Sequence, residues 1–127
     1  MKKQVAGTIM VVDDTGASFL VKPADSGQYN FDSFPVLAGH TPLATVLDKL
    51  RRQVGLDVEQ LRLFDSVIAE VDQEKVSLFV FNHMAVDDSV RELCQKAGLA
   101  FVPASQLHQL FERVHVNTTP MFENLSK

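Results

Sequence analysis

The chain has 127 residues, 46% of them hydrophobic, a formal net charge of −4 and a pI near 5.5. That length and apolar content predict a single domain over residues 1–127 with a real core, and the acidic balance argues against a nucleic-acid binder, whose domains are usually basic. A lone cysteine, Cys94, excludes an intramolecular disulfide and any multi-cysteine zinc site.

The chain opens with Met1-Lys2-Lys3-Gln4, followed by no apolar run of signal-peptide length, and nothing approaches the ~20 apolar residues of a membrane span. A soluble, cytoplasmic protein with no membrane partner is therefore expected. Residues 4–12 are rich in β-branched side chains and end at Asp13-Asp14-Thr15-Gly16, a turn signal, so Ser18 to Lys22 is read as the returning strand of a hairpin. Pro23 to Gln28 reads as a loop and Tyr29 to Phe31 as a short strand. Ser33 to Ala38 reads as a second loop, stiff and apolar through Phe34-Pro35-Val36-Leu37.

Gly39 to Leu56 has the marks of one helix. Thr41 is placed to cap its N-terminus, and Pro42 at the first helical position has no N–H to satisfy. Gly55 follows the last periodic residue, where a left-handed cap is cheapest for glycine. Leu43, Val46, Leu47, Leu50 and Val54 make one apolar stripe, and the opposite face carries Asp48, Lys49, Arg51, Arg52 and Gln53.

Leu61 to Val71 reads as a strand with an irregularity near Asp65-Ser66. Lys75 to Asn82 is apolar on both faces and so predicts a central strand covered on two sides. Asp87 or Asp88 caps a second helix over Ser89 to Ala97, ended by Gly98. Leu99 to Val102 is a short strand, and Pro103-Ala104-Ser105 lead into a third helix, to about Val114, with Leu107, Leu110, Phe111 and Val114 on one side. Cys94 falls in a helical pattern and reads as a small buried or half-buried thiol. The order predicts an α/β (α+β) sandwich, a mixed sheet between helices.

The stretch from Tyr29 to Val58 resembles the box and helix of the Nudix superfamily, hydrolases of nucleoside diphosphates linked to another moiety. Their motif runs G-x5-E-x7-R-E-U-x-E-E-x-G-U, with U apolar. Aligned on Gly55 its first glycine falls at Phe34, and the upstream pattern W-x-F-P-G-G falls on Tyr29 to Phe34 without a gap. The structural positions Leu50, Gly55 and Leu56 match. The chemical ones do not: the first glutamate is His40, the arginine is Asp48, and the later glutamates are Lys49, Arg52 and Gln53. The resemblance implies a Nudix-like mixed sheet between helices, a homodimer, and Mg²⁺ as cofactor. Since Mg²⁺ takes oxygen ligands, usually carboxylates, the sequence predicts no metal site and no catalytic residue at this degenerate box.

Two readings of the basic face stand side by side. It is a solvated helix surface with Asp48 and Arg52 paired at i,i+4, or it is a site where Lys49 and Arg52 replace the metal's charge and hold a phosphate directly. The candidate ligand-binding residues are His40, Lys49, Arg52 and Gln53. His83, His108 and His115 have no metal-site spacing. Glu70, Asp72 and Glu74 form the densest acidic group, at a predicted turn. The function expected is a non-hydrolytic domain that binds a nucleotide-type small molecule. The alternatives are a divergent Nudix pyrophosphohydrolase drawing carboxylates from outside the box, and an interaction module using Phe34 to Leu37 and the tail with Met121-Phe122.

Overall fold

The computed structural model describes residues 3–71, 74–112 and 114–115. Among the described residues eight strands and three α-helices form in the order β1 (Gln4–Asp13), β2 (Gly16–Pro23), β3 (Tyr29–Asn30), β4 (Asp32–Pro35), α1 (Pro42–Lys49), β5 (Arg62–Val71), β6 (Glu74–Asn82), α2 (Asp88–Lys96), β7 (Ala100–Pro103), α3 (His108–Phe111) and β8 (Val114–His115). The predicted mixed sheet between helices is present.

β1 organises the sheet because it pairs differently along its length. Its first half, Val5 to Ile9, lies parallel to β6 and, at residues 4–7, antiparallel to β4. Its second half, Met10 to Asp13, forms the hairpin with β2, which pairs in turn with β3 and β7. β6 sits between β1 and β5, which explains its apolar residues on both faces. The hairpin turn is held by Asp13, whose carboxylate accepts from the Thr15 hydroxyl at 2.6 Å and the Thr15 N–H at 2.8 Å. Those bonds, the hydroxyl's first, hold the Asp13 pKa below its ordinary 3.8.

Two apolar layers cover the sheet. One joins Val5, Ile9 and Phe81 to α1 and α2 through Val46, Leu50, Val54 and Cys94. The other collects Ala6, Val21, Val67, Leu78 and Val80 under Val102, Leu107 and Leu110. Helix α1 lies directly on the sheet at Gly7, where an added Cβ would stand 2.5 Å from Val46 Cγ1. Only glycine permits this approach.

The predicted caps form. Thr41 Oγ1 accepts from the Ala44 N–H at 3.1 Å, and Gly55 takes the left-handed conformation with φ 90°. The helix is not α-helical throughout, however. From Leu50 to Val54 it widens into a π-helical turn, with the Gly55 and Leu56 N–H groups both donating to the Leu50 carbonyl at 3.0 Å. Asp87 is the cap of α2, accepting from the Val90 N–H at 2.9 Å.

Two expectations need correction. The third helix does not reach Val114: a 3₁₀ turn at Ala104–Gln106 precedes α3, which stops at Phe111, and Val114 belongs to β8 on β5. Four α-helical residues are too few to stand alone, so packing of Leu107 and Leu110 on the sheet sets their extent. Ser33 to Pro35 is strand, not loop, because it pairs with Gln4 to Ala6 of β1. The irregularity in β5 is a bulge between Leu63 and Asp65, with Phe64 the extra residue. The expected tail features Met121 and Phe122 lie outside the described residues.

Cys94 is fully buried, as expected, and burial pushes its thiol pKa from 9.0 up to about 11. A thiol ordinary in the unfolded chain and raised in the folded one stabilises the fold below about pH 9 and loses that contribution by about pH 11. Equilibrium unfolding between pH 8 and 11 should therefore show a decline that Cys94→Ala makes shallower. Native Cys94 should also resist iodoacetamide until denaturant is added.

Candidate functional site

Helix α1 carries the polar residues of the box on the side away from the sheet, and β4 runs beside it. Their side chains meet across a cavity of about 330 Å³ lined by Phe34 to Ala38 from the loop side and Thr45, Asp48, Lys49 and Gln53 from the helix. Thr45 fixes the two walls together. Its buried hydroxyl donates to the Thr41 carbonyl at 3.0 Å and accepts from the Leu37 N–H at 3.1 Å. Thr45→Val keeps the shape and removes the acceptor. It should cost about 1–2 kcal/mol in urea unfolding and speed exchange of the Leu37 amide. An unchanged Leu37 exchange rate would refute that role for the hydroxyl.

Lys49 is not a free cation. Its ammonium lies 2.9 Å from Asp32 Oδ2 and 4.3 Å from the centre of the Phe34 ring, with the two charged side chains only 23% and 13% exposed. Asp32 was not among the candidates read from sequence. It lies seventeen positions before Lys49 in no local pattern, and only the β1–β4 register brings it to the helix. Asp48 is also engaged: Arg52 Nε lies 2.9 Å and Arg51 Nη2 3.4 Å from the same Oδ1. The expected Asp48–Arg52 pair is therefore present, widened by Arg51.

The four candidates do not converge. Lys49 and Gln53 line the cavity. Arg52 stands at its edge, bonded to Asp48 and largely exposed. His40 is exposed in the loop before α1, its Nδ1 3.2 Å from the Ala38 carbonyl oxygen, and it does not line the cavity. Phe34 and Val36 pack partly against the core, so the Phe34–Leu37 run is not one exposed surface; Pro35 and Leu37 are its exposed residues. The acidic group at the β5–β6 turn is spread across the hairpin, with Glu70 opposite Lys75 and Glu74 opposite Val71, and Asp72 lies outside the described residues. His83 is exposed in the turn after β6 with φ 74°, and His108 is exposed on α3.

The chain has counterparts among solved structures. A Nudix hydrolase of M. smegmatis, RenU, superposes with a TM-score of 0.63 at 18% identity, covering 86% of this chain and 75% of that one. The chain has the Nudix fold. An Ap4A hydrolase of C. elegans in a binary complex gives a TM-score of 0.62 at 12% identity, over 87% of this chain and 86% of that one. The Nudix domain of Shewanella oneidensis NrtR, complexed with ADP ribose, gives 0.50 at 10% identity, over 87% and 77%. At such identities the likeness is one of fold. No family model and no curated protein matches the chain by sequence.

On the Nudix fold the box helix is where Mg²⁺ would be expected, and the donor set here does not fit that ion. Lys49, Arg52 and Gln53 supply two cations and an amide, while the carboxylates of Asp32 and Asp48 already hold Lys49 and the two arginines. A dication near contact with Lys49 or Arg52 would be repelled by roughly 2–8 kcal/mol for each. Among the described residues no three His, Cys, Asp or Glu side chains group as metal ligands, and no helix is long and apolar enough to cross a membrane.

Proposed function

We propose that this Nudix-fold chain is a non-hydrolytic binding domain for a nucleotide-type ligand, seated in the cavity between α1 and the loop from Phe34 to Ala38. The observation that carries this reading is the Lys49–Asp32 pair: a tethered ammonium takes the place of a metal-binding carboxylate and comes with its own counter-ion. Lys49 then supplies positive charge to an anionic group, Gln53 supplies an amide donor and acceptor, and Phe34 with Leu37 supplies apolar wall. Arg51 and Arg52 hold Asp48 and keep the rim positive.

The ADP ribose complex of the NrtR Nudix domain makes ADP ribose the first ligand to test. Calorimetric titration with ADP ribose and a panel of nucleotides should give binding that is the same with EDTA as with millimolar Mg²⁺, and no phosphate or nucleotide monophosphate should be released. The competing reading, a divergent hydrolase, is supported by the Nudix hydrolases among the structural neighbours. Metal-dependent turnover in the same panel would establish it and overturn ours. Silence in both binding and turnover would leave a protein-interaction role.

A further inference from the structure

The cavity between α1 and the loop has two unlike walls. Phe34 to Ala38 form one without a charged side chain, and Thr45, Asp48, Lys49 and Gln53 form the other. The Thr45 hydroxyl is already spent on the Thr41 carbonyl and the Leu37 N–H, so Asp48, Lys49 and Gln53 are the helix side chains left to meet a ligand. Among the described residues the charged groups of the lining are Asp48 and Lys49, one of each sign. That balance does not suit a bare anion. A phosphate drawn to the Lys49 ammonium enters a cavity that also holds the Asp48 carboxylate, and like charges at close range repel.

Asp48 is fixed where it stands. Its side chain is 19% exposed, and the two arginines close on the same oxygen, Oδ1, with Arg52 Nε at 2.9 Å and Arg51 Nη2 at 3.4 Å. An ionised carboxylate accepts about four hydrogen bonds over its two oxygens, so these contacts orient the group and leave it capacity for donors from the cavity. A carboxylate accepts from O–H and N–H groups, and in a sugar phosphate it is the sugar that supplies them. An acidic side chain bonded to a ribose hydroxyl is a general way of reading a nucleotide's sugar. The facing wall suits the same ligand, because the C–H face of a sugar ring packs on apolar side chains while its hydroxyl edge turns to the few polar ones.

We propose that Asp48 determines the specificity of this site: the ligand carries sugar hydroxyls beside its phosphate, the hydroxyls donating to Asp48 while Lys49 holds the phosphate. This rests on the functional reading above and narrows it, from anionic ligands in general to those with a hydroxyl-bearing ribose. Three probes titrated into the full chain separate the contributions. They are ADP, 2′,3′-dideoxy-ADP with the same base and charge but neither ribose hydroxyl, and inorganic pyrophosphate with no sugar. The unaltered chain should bind ADP about tenfold or more tighter than either of the others. Asp48→Ala should bring ADP and its dideoxy form to within about threefold of each other and raise the affinity for pyrophosphate. A collapsed cavity would instead weaken all three together. Asp48→Asn keeps the shape and an acceptor and removes only the charge, and it too should bind pyrophosphate more tightly. Equal affinity for ADP and dideoxy-ADP in the unaltered chain, an ADP preference that survives Asp48→Ala, or a uniform loss across the probes in both variants would overturn this role and leave the functional reading standing. Binding of none of the three would overturn both.

Discussion

Gly7→Ala should destabilise this fold by about 1–3 kcal/mol, and by less when it is made in a Val46→Ala background. The added methyl would sit 2.5 Å from Val46 Cγ1, closer than carbon atoms approach, and both partners are held by backbone that cannot give way cheaply. Gly7 is paired on both sides in the sheet, with Asp32 of β4 and Phe79 of β6, so α1 must lift. Val46→Ala alone loses burial of about 2 kcal/mol, since Val46 is among the most buried side chains. In the double variant the alanine methyls share the vacated space, so the two losses should fall short of additive by roughly 1 kcal/mol. Urea unfolding of the four species measures this directly, and strict additivity would show that the helix does not rest on Gly7. Because α1 carries the cavity wall, Gly7→Ala should also weaken ligand binding, whereas the double variant should recover it.

The second large effect is expected at Lys49. Lys49→Met removes the ammonium but leaves the Asp32 carboxylate mostly buried and unpaired, a cost of about 1–3 kcal/mol once the pair's partial exposure is allowed for. Adding Asp32→Asn should return stability to within about 1 kcal/mol of the unaltered chain, because no lone charge then remains. Binding should behave differently. Under the proposed function, affinity for an anionic ligand falls about tenfold or more in Lys49→Met and stays low in the double variant, since the cation is gone from both. Gln53→Ala, on an exposed position, should lower affinity with little change in stability. Thermal unfolding of the unaltered chain should not respond to millimolar Mg²⁺. A magnesium-dependent rise in Tm would mean that carboxylates at this helix do hold the ion, and the reading of Lys49 as its replacement would fall.

The helix was legible at both ends because its signals are local: Thr41, Pro42 and Gly55 act on their own backbone within one turn. The Asp48–Arg52 pair was legible for the same reason, being four residues apart on one helix. Strand β6 could be recognised as central from its two apolar faces alone. The π-helical turn had no such signal, and α3 was overextended because the periodicity of Leu107, Leu110 and Phe111 continues past the point where the chain turns back to β5.

By itself, then, the sequence determined the Nudix-like order of elements, the helix between Thr41 and Gly55, and the presence of Lys49, Arg52 and Gln53 on its polar face, since all three are matters of spacing and residue type along one chain. The tertiary structure decided what those side chains meet. Whether Lys49 is a free cation or a paired one depends on Asp32, which lies on another strand and is delivered by the β1–β4 register. Charge is a property of a residue, but its availability is set by whatever folding places within about 3 Å of it, as the 2.9 Å Lys49–Asp32 contact shows.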